Sequence, residues 1–308
     1  MLLPGRRNGK WGFINAHGSC EIAFTYDFVT SFRGDYAVVG QNSKYGVIDC
    51  CGETKVDTYF DSILVSADGM LCVLRNDMWN CINIDAGTES GYVFSDATGY
   101  FDGVCGVSII QNGLEQYGYI DRNFRFIVKP KYESALAPRN GRLVAYDQKD
   151  GCYYVMSING KKLLQLNYES VGAYSDGMAS VTSDYIKHGF INLSGQLVVD
   201  MCFENTLNFT EGLCACYRNS FCGFIDFTGT FVIPPRYLGA SRFLGGLATV
   251  RRAESQDESW VVIDNAGNEI YENSCLGMHY VLPGILKVTN DGYCSYLDSN
   301  FSPIWVDS

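Results

Sequence analysis

Several features are missing from this sequence, and each absence excludes a class of protein. No stretch approaches the roughly 18 consecutive apolar residues that a membrane-spanning helix needs. Residues 1–7 (MLLPGRR) become polar before a signal-peptide hydrophobic region of about 7 residues is complete. We therefore expect no membrane partner, and either a cytoplasmic location or a chain that is a piece of a longer protein.

Basic residues are also scarce. The 308 residues include 23 Lys and Arg against 34 Asp and Glu, which gives a formal net charge of -11. Proteins that bind a phosphate backbone rely on clustered Lys and Arg. Nucleic acid is therefore not an expected partner.

Catalytic signatures are absent as well. The three histidines, His17, His188 and His279, lie far apart and have no neighbouring nucleophile or metal-ligand spacing. No nucleophile elbow, P-loop or zincin helix occurs. We predict that the protein is not an enzyme and assign it no catalytic residues. A hydrolase or lyase that uses paired carboxylates in a cleft is the enzymatic alternative.

Cysteine is plentiful, but it does not follow the spacing of a metal site. The 13 cysteines include the adjacent Cys50-Cys51 and the pair Cys214 and Cys216, and neither group has C-x-x-C spacing. Cys105 and Cys214 occupy a position that Ala179 and Ala248 fill in other repeats, as expected of small buried apolar residues. We predict reduced structural thiols, no metal and no cofactor.

What the sequence does contain is a repeated hexapeptide. It is clearest as Lys10-Trp11-Gly12-Phe13-Ile14-Asn15 and again as Phe221-Cys222-Gly223-Phe224-Ile225-Asp226. The third position of successive copies is residue 12, 46, 80, 118, 154, 189, 223, 261 and 295, so the period stays between 34 and 38. A fixed period in this range indicates a repeat architecture in one domain, over residues 1–308.

Each repeat contains a series of strand and turn signals. The hexapeptide alternates as a strand with one buried face. An Asp or Asn then precedes a Gly by three residues, which is typical of a hairpin turn. A second strand follows, and Pro or an aromatic residue is expected to end it. The repeat closes with a glycine and a strand of small apolar residues. The recurring acids are predicted to cap turns: Asp49, Asp121, Asp226, Asp264 and Asp298.

No segment has a helical period of 3.6 over a dozen residues, so the chain is predicted to be all-β. Radial repetition of such units makes a β-propeller, in which closure protects the strand edges. There are eight glycine-led strands and nine hexapeptide strands. We predict about eight repeats, with a nine-unit ring or an open β-solenoid as alternatives.

The hexapeptide, the downstream Ile233-Pro234-Pro235-Arg236-Tyr237 and the pattern Phe-x-x-Gly-Leu-Ala-x-Val together resemble the WG-repeat family, which is found mainly in bacterial proteins. The resemblance covers nearly the whole chain, from Lys10 to about Trp305. It implies a propeller-like β-repeat scaffold with a role in binding, and it supplies no catalytic residues.

The functional prediction depends on departures from the period. The connection before the hexapeptide lengthens at residues 110–116 and 251–259, and insertions on one face of a repeat protein often carry binding. The chain is therefore predicted to be a non-enzymatic scaffold for a protein partner. The predicted binding residues are Gln111, Asn112, Glu115, Arg251, Arg252, Glu254, Asp257 and Glu258. The alternative is a small-molecule or glycan binder that uses the central channel of the propeller.

Overall fold

The computed structural model describes residues 2–253, 259–291 and 293–308, and within them every regular element is a β-strand. The described chain contains no helix that is long and apolar enough to cross a membrane. The chain forms two compact units. Unit 1 comprises residues 1–167 with Ser308, and unit 2 comprises residues 168–307. The prediction of one domain over residues 1–308 stays a prediction.

Unit 1 contains 19 described strands, each of them two to eight residues long. They are β1 (Leu2–Arg7), β2 (Lys10–Asn15), β3 (Cys20–Tyr26), β4 (Phe28–Val29), β5 (Tyr36–Gln41), β6 (Lys44–Asp49), β7 (Thr54–Phe60), β8 (Ser62–Val65), β9 (Met70–Arg75), β10 (Met78–Asn83), β11 (Thr88–Glu89), β12 (Asp96–Phe101), β13 (Val104–Gln111), β14 (Leu114–Ile120), β15 (Phe126–Tyr132), β16 (Ser134–Ala135), β17 (Arg142–Asp147), β18 (Cys152–Ser157) and β19 (Lys162–Leu166).

Unit 2 repeats the same order of strands. They are β20 (Ser170–Val171), β21 (Met178–Thr182), β22 (His188–Asn192), β23 (Leu197–Phe203), β24 (Asn205–Thr206), β25 (Cys214–Arg218), β26 (Phe221–Ile225), β27 (Phe231–Ala240), β28 (Leu247–Arg252), β29 (Ser259–Asp264), β30 (Glu269–Ser274), β31 (Gly277–Leu282), β32 (Ile285–Asn290), β33 (Tyr293–Leu297) and β34 (Pro303–Val306).

The described strands form eight antiparallel sheets, which we number 1 to 8 in chain order. Sheet 1 is β1-β2-β3, sheets 2 to 6 have four strands each, sheet 7 runs from β24 to β30, and sheet 8 is β31-β32-β33-β34. In a four-stranded repeat the hexapeptide is the third strand. Sheet 7 holds two repeats, because the long strand β27 ends one repeat and begins the next.

The described repeats therefore number nine, which is the alternative count that the sequence left open. The first hexapeptide has no glycine-led strand before it in the sequence. In the structure β1 takes that place and pairs with the hexapeptide strand β2 from Leu2↔Asn15 to Arg7↔Lys10. The preference for eight repeats undercounts because β1 carries no repeat signature. Its membership of sheet 1 depends on pairing with β2.

The second and third strands of most repeats meet in a two-residue hairpin turn. In sheet 2 the ladder ends at Gln41↔Lys44, and the turn residues Asn42 and Ser43 both have positive φ, at 50° and 59°. Two consecutive positive φ angles define a type I′ turn, whose twist matches that of the flanking strands.

The fourth strand does not end at proline, contrary to the sequence prediction. Strand β27 continues through Pro234 and Pro235, and the register against β26 shifts by two residues at that point, between Cys222↔Tyr237 and Phe224↔Ile233. The prolines thus lie in a bulge. A residue in a bulge needs no ladder hydrogen bond, so the missing N–H of proline costs nothing there.

The core is a series of apolar clusters, each between consecutive repeats of one unit. One such cluster in unit 2 packs Phe224 of β26 against Phe243, which precedes β28, with ring centroids 4.8 Å apart. The same pairing recurs between Phe13 and Phe32 in unit 1. Each repeat therefore buries its hexapeptide strand against the next repeat.

Candidate functional site

Three of the described hairpins between second and third strands are held in place by an acid from the preceding repeat. Asp61, directly after β7, accepts hydrogen bonds from Lys44 Nζ in its own sheet and from the backbone N–H of Asn76 in the next hairpin, at 3.1 Å. The hydrogen bond from Lys44 is the main reason that the pKa of Asp61 is lowered. Asp27 and Glu204 make the equivalent contacts. This role explains the Lys that begins several hexapeptides.

The hairpin of sheet 4 departs from this pattern and is longer. Ser95 takes the place of the acid, since its N–H donates to the Ser108 carbonyl as the N–H of Asp61 does to Leu74. The β13–β14 ladder continues through two further pairs, Ile110↔Glu115 and Gln111↔Leu114. At about 3.4 Å per residue, these pairs extend the hairpin by about 7 Å. The insertion predicted at residues 110–116 is thus ordered strand with a short turn.

The tip of this hairpin carries exposed apolar side chains, which the predicted site did not include. Ile110 is 65% exposed and Leu114 is 66% exposed. Because neighbouring residues of a strand point to opposite faces, Ile110 shares one face with Glu115, and Leu114 shares the other with Gln111. Two apolar residues flanking an Asn-Gly pair are the sequence signal for such a tip.

The three predicted residues of this hairpin have different roles. Asn112 is in the turn with a φ of 53° and precedes Gly113, so it shapes the backbone. Glu115 Oε1 accepts a hydrogen bond from Ser108 Oγ at 2.6 Å. Ser108 Oγ in turn lies 2.9 Å from Ser95 Oγ. Glu115 therefore anchors the hairpin. Gln111 is exposed at the tip beside Leu114.

The second predicted segment lies in unit 2, at the end of β28. Arg252 pairs with Glu269 and with Glu272, and these two carboxylates raise its pKa, Glu269 more strongly. Arg252 is therefore engaged within its own unit. Arg251 pairs with Trp260 across the β28–β29 ladder. The predicted residues Glu254, Asp257 and Glu258 lie outside the described residues.

The recurring acids cap turns, as predicted. Asp226 Oδ1 accepts hydrogen bonds from the N–H groups of Thr228 at 2.9 Å and Thr230 at 3.1 Å. Asp49, Asp121, Asp264 and Asp298 bond the backbone two and four residues ahead in the same way. The carboxylates are thus occupied locally, which gives each of them a structural reason to recur.

A cleft of about 560 Å³ lies in unit 1, along the first strands of sheets 2, 3 and 4. Its walls include Phe32, Leu64 and Phe101, and Arg33 supplies its cationic group. The Thr30 and Thr98 hydroxyls accept the N–H groups of Val38 and Gly106, so they are already engaged by the backbone. The cleft therefore offers apolar walls and one guanidinium.

The three histidines lie in three different repeats of the described chain. His17 is exposed in a turn, His188 begins β22, and His279 lies in β31. All 13 cysteines are free thiols. Three of them, Cys72, Cys81 and Cys105, are brought together in the core of unit 1.

These features define a class: an all-β protein of propeller-like blades whose variable parts are hairpin tips. The family model for the WG containing repeat matches residues 11–45, 117–151, 155–185, 189–219 and 223–253, which together exceed half of the chain. The chain belongs to the WG-containing repeat family, as the hexapeptide predicted.

One solved structure supports the same fold, and two others are less similar to this chain. A crystal structure of a eukaryotic initiation factor is similar with a TM-score of 0.70 at 12% identity, over 99% of this chain and 94% of that one. BamB from Moraxella catarrhalis gives 0.44 at 14% identity, over 98% and 89% of the two chains. Virginiamycin B lyase from Staphylococcus aureus gives 0.41 at 14% identity, over 74% and 90%.

At such identities the likeness concerns the fold alone, and only the initiation factor carries weight. The all-β, propeller-like fold class predicted from the sequence is confirmed. No curated protein sequence is a significant match.

Proposed function

We propose that this protein is a non-enzymatic binding scaffold that takes a protein partner through the hairpin of sheet 4. The observation that carries the proposal is the exposure of Ile110 and Leu114, each about two-thirds exposed, on an ordered hairpin that is two residue pairs longer than that of sheet 2. Side chains of this kind bury well in a partner's groove and gain about 25 cal/mol for each Å² of apolar surface removed from water.

The architecture around the hairpin supports this role. The turn is preorganised by Asn112 and Gly113, and the base is fixed by the contacts among Ser95, Ser108 and Glu115. A preorganised element loses little conformational freedom on binding, so more of the interaction energy appears as affinity. In sheets 1 and 2 the residues next to the turn are polar or charged instead, with Arg7 opposite Lys10 and Gln41 opposite Lys44.

The test is affinity capture from native lysate with three forms of the chain. In the first variant, residues 110–115 are replaced by Asn-Ser, the turn pair of sheet 2, so that the ladder closes on Ile109↔Gln116. The second variant, Ile110→Thr with Leu114→Thr, keeps the hairpin and removes its apolar groups. Both variants should lose a stoichiometric protein that the unaltered chain captures.

A matched control is Val232→Thr, which changes another exposed apolar residue, 44% exposed on β27. This variant should capture the partner as well as the unaltered chain does. Circular dichroism and thermal melting should show that all forms remain folded. The proposal fails if the unaltered chain captures no stoichiometric protein, or if the hairpin variants retain it.

A second candidate function is the binding of a small molecule in the cleft of unit 1. The favouring observation is the combination of Arg33 with the apolar walls formed by Phe32, Leu64 and Phe101. This chemistry fits a small anion with an apolar body, such as an aromatic carboxylate. Thermal-shift screening of anionic and neutral metabolites should show stabilisation by the anionic set only. Arg33→Gln should abolish that shift, and a shift that persists in this variant would contradict the assignment.

A further inference from the structure

Three cysteine thiols meet in the core of unit 1, between sheets 3 and 4. Cys72 lies in β9, Cys81 is directly opposite it in β10, and Cys105 comes from β13 of the next sheet. The Cys72 Sγ atom is 3.7 Å from that of Cys81 and 3.6 Å from that of Cys105. All three sulfur atoms lie within 4.8 Å of one another, and all three residues are fully buried.

The repeats show that packing alone does not require cysteine at these positions. The equivalent residues between sheets 2 and 3 are Val38, Val47 and Leu71, which form part of one apolar cluster. In unit 2 the equivalent set within sheet 7 is Ala215, Phe224 and Ala248. In both sets all three positions are apolar, whereas between sheets 3 and 4 all three are cysteine.

The spacing of the sulfur atoms suits a thiolate-bound metal ion. With metal–sulfur bonds of about 2.3 Å, the sulfur atoms of a tetrahedral or trigonal thiolate site lie roughly 3.8 to 4.0 Å apart. The observed separations approach this without rearrangement of the strands. Among residues 2–253, 259–291 and 293–308, no His, Asp, Glu or further Cys joins the three as a fourth ligand.

The number and type of ligands indicate which metal ion the site would bind, because three thiolates are present and no fourth ligand joins them. Structural zinc sites are four-coordinate. Thiolates also select Cu(I), for which three-coordinate thiolate sites are stable. We propose that Cys72, Cys81 and Cys105 form a buried binding site for one Cu(I) ion, with each thiol releasing its proton to solvent as its sulfur binds.

The surroundings of the sulfur atoms fit this assignment. Ser90 Oγ accepts a hydrogen bond from the backbone N–H of Cys81 at 2.9 Å and itself donates to Asn80 Oδ1 at 3.0 Å, so the backbone that carries this ligand is held in place. Such outer contacts tune a site and fix its ligands. The rest of the shell is apolar and includes Met70, Phe94 and Val107. An apolar shell disfavours the more highly charged Cu(II) relative to Cu(I).

The test is an anaerobic titration of the reduced, full-length chain with Cu(I) against a chromophoric chelator. Because the site is buried, the titration is done both on the folded chain and during refolding from denaturant. The expected result is one Cu(I) per chain in at least one of these two conditions, with three sulfur neighbours by X-ray absorption spectroscopy.

Three variants test the site with residues that the chain itself uses at equivalent positions. They are Cys72→Val, as at Val38, Cys81→Val, as at Val47, and Cys105→Ala, as at Ala248. Each should fold and should bind Cu(I) more than about 100-fold more weakly, since loss of an outer partner alone costs roughly 10- to 100-fold.

The exposed thiols provide the matched control. The variant Cys20→Ser with Cys50→Ser and Cys51→Ser removes the three exposed cysteines and should retain full Cu(I) binding. The proposal is overturned if this variant loses the metal, if folded core variants keep it, or if neither titration shows stoichiometric binding. Increased thermal stability on loading should appear in the unaltered chain and disappear in Cys81→Val.

Discussion

Gly223 lies so close to the fourth strand of its repeat that a Cβ atom there would come within 2.5 Å of the Ile233 carbonyl oxygen. The same approach, to within 2.4 or 2.5 Å of a fourth-strand carbonyl oxygen, occurs at Gly12, Gly46, Gly118 and Gly189. In each case the fourth strand bulges opposite the glycine. Where the glycine is replaced by Tyr154, Val261 or Ser295, the ladder is regular at that point. The recurring glycine of the hexapeptide thus accommodates a bulge.

Gly223→Ala should therefore destabilise unit 2. The added methyl group would meet backbone atoms, which cannot rotate away, so we expect a loss of about 1–3 kcal/mol in the free energy of unfolding. Urea denaturation followed by tryptophan fluorescence measures this loss. The control is Gly239→Ala in β27, where the nearest atom to an added Cβ is 3.9 Å away. Equal effects of the two substitutions would contradict the bulge explanation.

The acids that cap turns should make stability depend on pH. The pKa values of Asp226 and Asp264 are lowered, chiefly by hydrogen bonds from the side chains of Thr228 and Asn268. A lowered carboxyl pKa stabilises the fold above the unfolded value, about 3.8, and this stabilisation is lost as pH falls below it. We expect the melting temperature to fall as the pH drops below about 4.

The double variant Asp226→Asn with Asp264→Asn tests this dependence. Asn occupies the same turn position at Asn15 and Asn192 and accepts the same backbone hydrogen bonds, so the variant should fold. Its melting temperature should change less between about pH 5 and pH 3 than that of the unaltered chain, because two titrating groups are gone. An unchanged slope would show that these carboxylates do not contribute.

A side chain of the first repeat of sheet 7 forms hydrogen bonds with the backbone of the second repeat. Glu211 accepts hydrogen bonds from the N–H groups of Gly245 and Gly246, at 2.7 and 2.8 Å. Glu211→Ala should lower the free energy of unfolding by about 1 kcal/mol, since water can replace the lost acceptor at this exposed position. Glu211→Gln retains one acceptor and should lose less. Hydrogen exchange at Gly245 and Gly246 should accelerate in Glu211→Ala, and unchanged exchange would exclude the bond as a constraint.

The aromatic pair between repeats should dominate the stability of unit 2. Phe224 is fully buried with its ring centroid 4.8 Å from that of Phe243. Phe224→Ala should cost about 3–5 kcal/mol, because it leaves a cavity in the core. Val232→Ala, at a residue that is 44% exposed, should change stability by less than about 0.5 kcal/mol. Calorimetric melting of both variants would separate these outcomes, and a small effect at Phe224 would contradict the proposed core.

Local features of the fold could be predicted from the sequence because the contacts that produce them are local. The turn acid at Asp226 bonds residues two and four positions ahead, and the period of the hexapeptide alone indicates strands repeated along the chain. The all-β class and the family follow from these patterns. The length of the sheet 4 hairpin also follows from a departure from the period, whereas the exposure of its apolar tip is a property of the folded chain.

The remaining features depend on residues that are brought together by the tertiary structure. Strand β1 carries no repeat signature and is identified by its pairing with β2, and the bulge opposite Gly223 involves a backbone ten residues downstream. Asp61 meets Lys44 and Asn76 across two sheets. The sequence by itself determined the strand order and turn chemistry, which follow from short-range periodicity. Only the tertiary structure decided the repeat count and the meeting of Cys72, Cys81 and Cys105, because packing between sheets joins positions that no local period relates.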